Sequence, residues 1–355
     1  MSTRHLHRPF LAALVLSAGM LLPIGGAAAA QTPAGGLPAG LSGKSSLSGA
    51  EEAAIEQFLT AQVPGLSGQN GAAGIRTART AVMAPLGANT TVNFRLVYGR
   101  VLREKVLPGL TGAGQKNDQV VANAMRIAGE TASTTTAPFV LDAMKDPRPP
   151  VKFAAVTAAG RMLELTGKGQ SALNPADLTG VVKAIGEFVG TAGEASLVDG
   201  GVVALAAGVA IPAKAGPGLE QVSSASMSAL ATGLSVRLTK PDGQVAVPAA
   251  LRAMKTTRDA LTAGAAGGQV LSAQAMRDGA AMAGDTLRLL MRLDKEGKKH
   301  ALHDQLVGAS VTVVTLSATL LDANLPAVPT DPGKIIGQGG ALTKPPFNFP
   351  ADRFN

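Results

Sequence analysis

The chain has no cysteine and no tryptophan, and Tyr98 is its single tyrosine. Without Cys no disulfide can staple the fold, and thiol nucleophiles, Cys-based zinc sites and iron–sulfur ligation are excluded. The core must hold the protein together unaided. With so few aromatic platforms, stacking of bases or sugars is a poor expectation, so nucleic acid is not an expected partner. Strand signals are equally scarce: there is no sustained period-two alternation and a great deal of alanine.

Histidine is scarce where chemistry would need it. Only His300 and His303 follow the first thirty residues, so a Ser–His–Asp triad is hard to assemble. No Gly-x-Ser-x-Gly elbow, Ser-x-x-Lys or His-Glu-x-x-His is present. The stretch "GLTGAGQKN", Gly109 to Asn117, has the glycines of a phosphate loop, but Gln115 separates Gly114 from Lys116 and Asn117 stands where Ser or Thr is needed. It reads as an interhelical loop, as does Gly337 to Gly340. Among the carboxylates, Glu187 in "AIGEFVG" comes nearest to an isolated acid in an apolar run. An exposed position beside a buried face explains it equally well. His300, His303 and Asp304 form a weak metal candidate, because a helix over 298–322 would put both imidazoles on one side. Lys295, Lys298 and Lys299 oppose a cation there. No cofactor is expected, and no enzymatic activity.

What is present begins with a targeting pattern. Arg4 and Arg8 precede the uncharged run Phe10 to Leu22, and Ala28, Ala29 and Ala30 follow it. That order is a secretory signal, 1–30, with cleavage after Ala30. Pro23, Gly25 and Gly26 interrupt the run short of the ~20 residues of an uncleaved anchor. The mature chain is expected to be exported, periplasmic or extracellular. Losing Arg4 and Arg8 lowers the formal charge of +8 by two, leaving a mild basic bias. Residues 31–47, rich in Gly, Ser and Pro, read as a flexible lead-in. Residues 326–355, rich in Pro and Gly, read as an irregular tail, and 48–325 as the helical body.

Caps and breakers predict helices near 49–62, 72–84, 92–107, 117–132, 137–145, 149–166, 175–191, 197–209, 218–236, 247–263, 269–293 and 298–322. Gly201 to Ile211 and Gln305 to Leu321 are apolar enough to raise a membrane question. Both read as central helices covered on all sides, with no span after signal removal.

The corner "DPRPPVKFAAVTAAGRMLEL", Asp146 to Leu165, is the most structured signal. Asp146 can hydrogen-bond the turn, Pro147 and Pro149 stiffen it, and Pro150 suits a first helical turn. Val151, Ala154, Ala155, Ala158, Met162 and Leu165 then form one apolar stripe. With Asp146, Pro149, Val151-Lys152, Ala154-Ala155 and Ala158-Ala159-Gly160, this stretch resembles the second helix of a HEAT repeat, and "APFVLDAMK" before it resembles the first. Lys152 replaces the usual Arg, and Ala159 the commoner Leu. First helices starting near 92, 137, 175, 218 and 269 are spaced close to the roughly 40–47 residues of such repeats.

The resemblance implies an all-α chain of antiparallel helical hairpins stacked as a HEAT-like α-solenoid. The rival architecture is a single irregular all-helical domain. It also implies a scaffold that docks another protein. Arg95, Arg100 and Arg103 around Tyr98 are the first candidate patch, and Arg148, Lys152 and Arg161 the second. The alternatives are a weak binder of an anionic envelope polymer, using for example Lys295 to Lys299, and a hydrolase without a recognisable motif.

Overall fold

A computed structural model describes residues 36–112, 114–212, 215–216, 218–267 and 271–354. The signal-like segment 1–30 and the first residues of the lead-in, 31–35, lie outside them. The fold is all-α: α1 Gly49–Leu66, α2 Gly71–Met83, α3 Val92–Val101, α4 Leu107–Thr111, α5 Asp118–Thr131, α6 Ala137–Ala143, α7 Pro149–Gly167, α8 Pro175–Thr191, α9 Ala195–Val209, α10 Glu220–Leu238, α11 Val247–Ala265, α12 Ala273–Lys295, α13 His303–Leu321 and α14 Pro332–Ile336. Among the described residues there is no strand, only an isolated bridge between Ser133 and Ala172.

Local chemistry sets the boundaries. Ser48 and Glu51 form a reciprocal capping box at α1. The side chains of Asn117 and Asn174 accept from the first-turn amides of α5 and α8. One expected helix, 92–107, is broken: a π-helical turn, Leu102–Val106, separates α3 from α4. Pro108 has no N–H for the carbonyl of Glu104, which favours a wider turn there.

The helices pack in two series. α5, α7, α9, α11 and α13 lie side by side in chain order, and so do α6, α8, α10 and α12. The two series meet through α6–α7, α8–α9, α9–α10 and α12–α13. Small residues allow the close approaches: a Cβ on Gly129 of α5 would sit 2.8 Å from the Cα of Ala158, and one on Gly160 of α7 2.8 Å from the Cα of Ala204 in α9. One continuous apolar core runs from Leu41 to Phe354.

Both ends of the described chain join the apolar core. The described part of the lead-in is tied down: Leu41 is buried, Thr91 N–H donates to the Ser42 carbonyl, and the Thr91 hydroxyl donates to that of Lys44. The tail packs on α12, burying Ile335, Ile336, Leu342, Phe347 and Phe354. Arg353 reaches the buried Asp285 at 3.3 Å and stacks over the rings of Phe349 and Phe354. α9 is largely covered, but α13 is not enclosed. It is long and apolar enough to cross a membrane, and only a third of that stretch is buried. As the last helix of its series, it has α11 and α12 as its principal helical neighbours.

Candidate docking groove

The first patch expected from sequence is not a surface. Arg95 and Tyr98 are completely buried. The Arg95 guanidinium donates to the carbonyls of Glu130 at 2.8 Å and Thr131 at 3.2 Å, and to Leu86 at 3.2 Å. A cation at the end of α5 satisfies carbonyls that no further helical N–H can reach. Burial lowers its proton affinity, partly offset by Glu130. The Tyr98 hydroxyl donates to the Val82 carbonyl, and burial pushes the phenol well above its usual range. Arg100 and Arg103 do stand outside, Arg100 paired with Glu52 at 2.6 Å. The sequence spacing that groups these four residues therefore mixes anchors with surface.

The second patch is internally neutralised. Arg148 pairs with Asp118 at 3.0 Å and Asp146 at 2.8 Å, and donates to the Gln115 carbonyl. The expected Asp146 turn forms as well, with Arg148 N–H donating to its carboxylate. Arg161 binds Glu130 through two hydrogen bonds and reaches Glu164 at 2.8 Å. The Glu130 contact, followed by Glu164, raises the guanidinium's proton affinity. These two arginines clamp α7 to the two ends of α5. Lys152, whose charge also acts on Asp146, stands beside a cavity of about 510 Å³ between the Pro147–Pro149 corner and the α8–α9 turn.

The His300–His303–Asp304 arrangement does not share a helix face. Gly297, at φ 69°, ends α12, and α13 begins only at His303. His300 Nδ1 instead accepts from Leu302 N–H at 3.0 Å. His303 Nδ1 and Lys299 both contact Asp304, and these two partners lower its carboxyl's pKa. Among the described residues, no three His, Asp or Glu side chains are placed to hold a metal ion. Lys298 pairs with Glu296 at 3.0 Å, so two of the lysines between 295 and 299 are paired with carboxylates. Glu187 is exposed and lies 3.9 Å from Lys183.

A different feature presents a shaped surface. Between α8 and α10 runs an open, mostly apolar groove of about 510 Å³. Its floor is made of small residues: a Cβ on Gly186 would lie 3.1 Å from Ala229, and one on Gly233 would strike the Gly186 carbonyl. The backbones meet closely because Gly233 has no side chain to strike the Gly186 carbonyl, and Gly186 leaves Ala229 room that a Cβ would crowd. Along one rim stand Thr179, Lys183, Glu187 and Thr191; along the other, Ser228, Thr232 and Val236. Successive rim residues are four apart, one helical turn, so each row runs along its helix. Val236 is 48% exposed, one of few large apolar side chains left in solvent. Sequence reasoning singled out only Glu187. The available signal was the four-residue recurrence of Gly, Ser and Thr in both segments. No protein-family model matches the chain, and no curated protein or solved structure matches it.

Proposed function

We propose that the chain is an exported HEAT-like solenoid, without catalysis of its own, whose α8–α10 face docks another protein. The observation that carries this reading is helix order: each helix of a hairpin packs beside its counterpart in the next hairpin, as stacked repeats do. The groove fits a partner helix bearing small or aliphatic residues every three to four positions. Such a helix would lie between the two rows, apolar face down, with the rim hydroxyls and the Lys183–Glu187 pair at its polar edges. The test places a photo-reactive residue at Thr232, or at Thr80 on α2, in the producing cells. One protein joined at Thr232 and not at Thr80, whose purified form no longer binds Thr232→Arg at unchanged thermal stability, supports the reading. Equal capture at both positions, or undiminished binding to the variant, overturns it.

Binding of an anionic envelope polymer is a second reading with its own observation. Arg76 and Arg126 each lie close enough to Arg79 to act on its charge, and Arg79 donates to the neutral Asn123 amide oxygen at 2.6 Å. Burial and then its two arginine neighbours lower the Arg79 proton affinity. Polymer binding there would weaken steeply with salt, because released counterions drive it.

A further inference from the structure

We infer that the cavity between the Pro147–Pro149 corner and the α8–α9 turn binds one small dipolar ligand, an ammonium and a carboxylate joined by an apolar body, as in an amino acid or a short peptide. The cavity has a volume of about 510 Å³, within the ~300–1,000 Å³ of small-molecule sites. Its charges are segregated by hairpin: Lys145 and Lys152 come from α6–α7, and Glu187 and Glu194 from α8–α9. Between them the wall is apolar, with Met144, Phe188 and Leu197 buried.

Among the described residues no ion pair joins these lysines to these carboxylates, although all four line one cavity. Their contacts lie on their own side instead. Lys145 meets Asp142 at 3.8 Å, Lys152 acts on the Asp146 carboxylate, and Glu187 meets Lys183 at 3.9 Å. Asp142, Asp146 and Lys183 do not line the cavity, and Asp146 is already held by Arg148 at 2.8 Å. Glu194 precedes α9 without capping it through its side chain. Long, exposed contacts contribute little. A ligand that brings a carboxylate to the lysines and an ammonium to Glu194 therefore gains charge-assisted hydrogen bonds that the protein does not make within itself. The lysine wall is set in advance: Pro147 and Pro149 fix the turn, and Arg148 ties it to Asp118 and Asp146, so binding has little to order there. Glu187 also stands on the rim of the α8–α10 groove, but Lys152 and Glu194 do not, so the inference is tested apart from docking there.

The experiment titrates the full chain calorimetrically with the tripeptide Ala-Leu-Ala, its N-acetyl form, its C-terminal amide, and leucine. The variants are Lys152→Gln and Glu194→Gln, neither at a buried position, with Lys152→Arg and Glu194→Asp as charge-preserving controls. Matching thermal midpoints establish that each variant is folded. One tripeptide bound per chain, with affinity about tenfold lower in either Gln variant and largely kept in the controls, is the expected result for a peptide. The loss on Glu194→Gln should vanish for the acetylated peptide, and the loss on Lys152→Gln for the amide, which a merely structural change would not produce. Leucine bound alone, with the same dependence on both residues, supports the site with an amino acid as its source. No binding of tripeptide or leucine, equal losses for free and capped peptides, or undiminished affinity in either Gln variant overturns the inference.

Discussion

A methyl group built onto Gly129 would lie 2.8 Å from both the Cα and the Cβ of Ala158. Two turns of adjacent helices meet there with no room for a side chain, and the same relation recurs between Gly160 and Ala204. The obstructing atoms include backbone, so relief requires α5, α7 or α9 to shift.

Opposite signs are therefore expected for one substitution at two helical glycines. Gly160→Ala should lower stability by about 1–3 kcal/mol through overpacking. Gly180→Ala, in α8 with nothing within 4 Å of the new methyl, should raise it by up to ~1 kcal/mol through helix propensity. Urea unfolding of the two variants decides. Equal effects would mean that the helices are not in close contact at Gly160.

Arg95 and Arg100 separate anchoring from surface charge. Arg95→Leu strips partners from the Glu130, Thr131 and Leu86 carbonyls and should lower stability by about 3 kcal/mol or more. Arg100→Ala breaks an exposed pair with Glu52 and should change it by less than about 1 kcal/mol. Calorimetry on both variants checks the contrast.

Much of the fold was legible in the sequence, for identifiable reasons. Helix ends were readable because Ser48, Asn117, Asn174 and the Pro147–Pro150 corner mark them with local chemistry. The break at Leu102 escaped because its cause, Pro108, lies downstream of the turn it widens. Burial was the harder quantity. Arg95, Tyr98 and Arg100 fall close together on one helix, yet α5 covers only part of it, and a single sequence does not say which side. His300 looked helical because "KKHALHD" lacks a breaker of its own; Gly297, just before it, ends α12. The groove is not legible in the sequence because Gly186 and Gly233, far apart in the chain, meet only in the fold.

Asp285 should act on the acid side of the stability curve. Burial, the dominant influence, raises its pKa above the ordinary 3.8 despite hydrogen bonds from Ser235 and Arg353. The folded state therefore holds this proton more tightly than the unfolded chain. Its contribution to stability is present at low pH and is lost as pH rises through the folded-state value. Asp285→Asn should gain stability relative to wild type as pH climbs from about 4 to neutrality. Thermal midpoints across that range check this; a difference that is flat or shrinks with pH would contradict it.

The tail is expected to act as a cap on the stack rather than an appendage. Phe354 is buried against Gly284 of α12, and Phe354→Ala should lower stability by about 3 kcal/mol. Phe349→Ala, at a less buried ring, should cost less. Denaturant midpoints rank the two.

Native-state hydrogen exchange on Phe354→Ala tests the stacked arrangement most directly. If each helix is stabilised by its neighbours in the series, amides of α12 and α13 should lose protection while those of α5 and α7 keep theirs. A uniform loss of protection across all the helices would contradict the stack and favour one irregular helical domain.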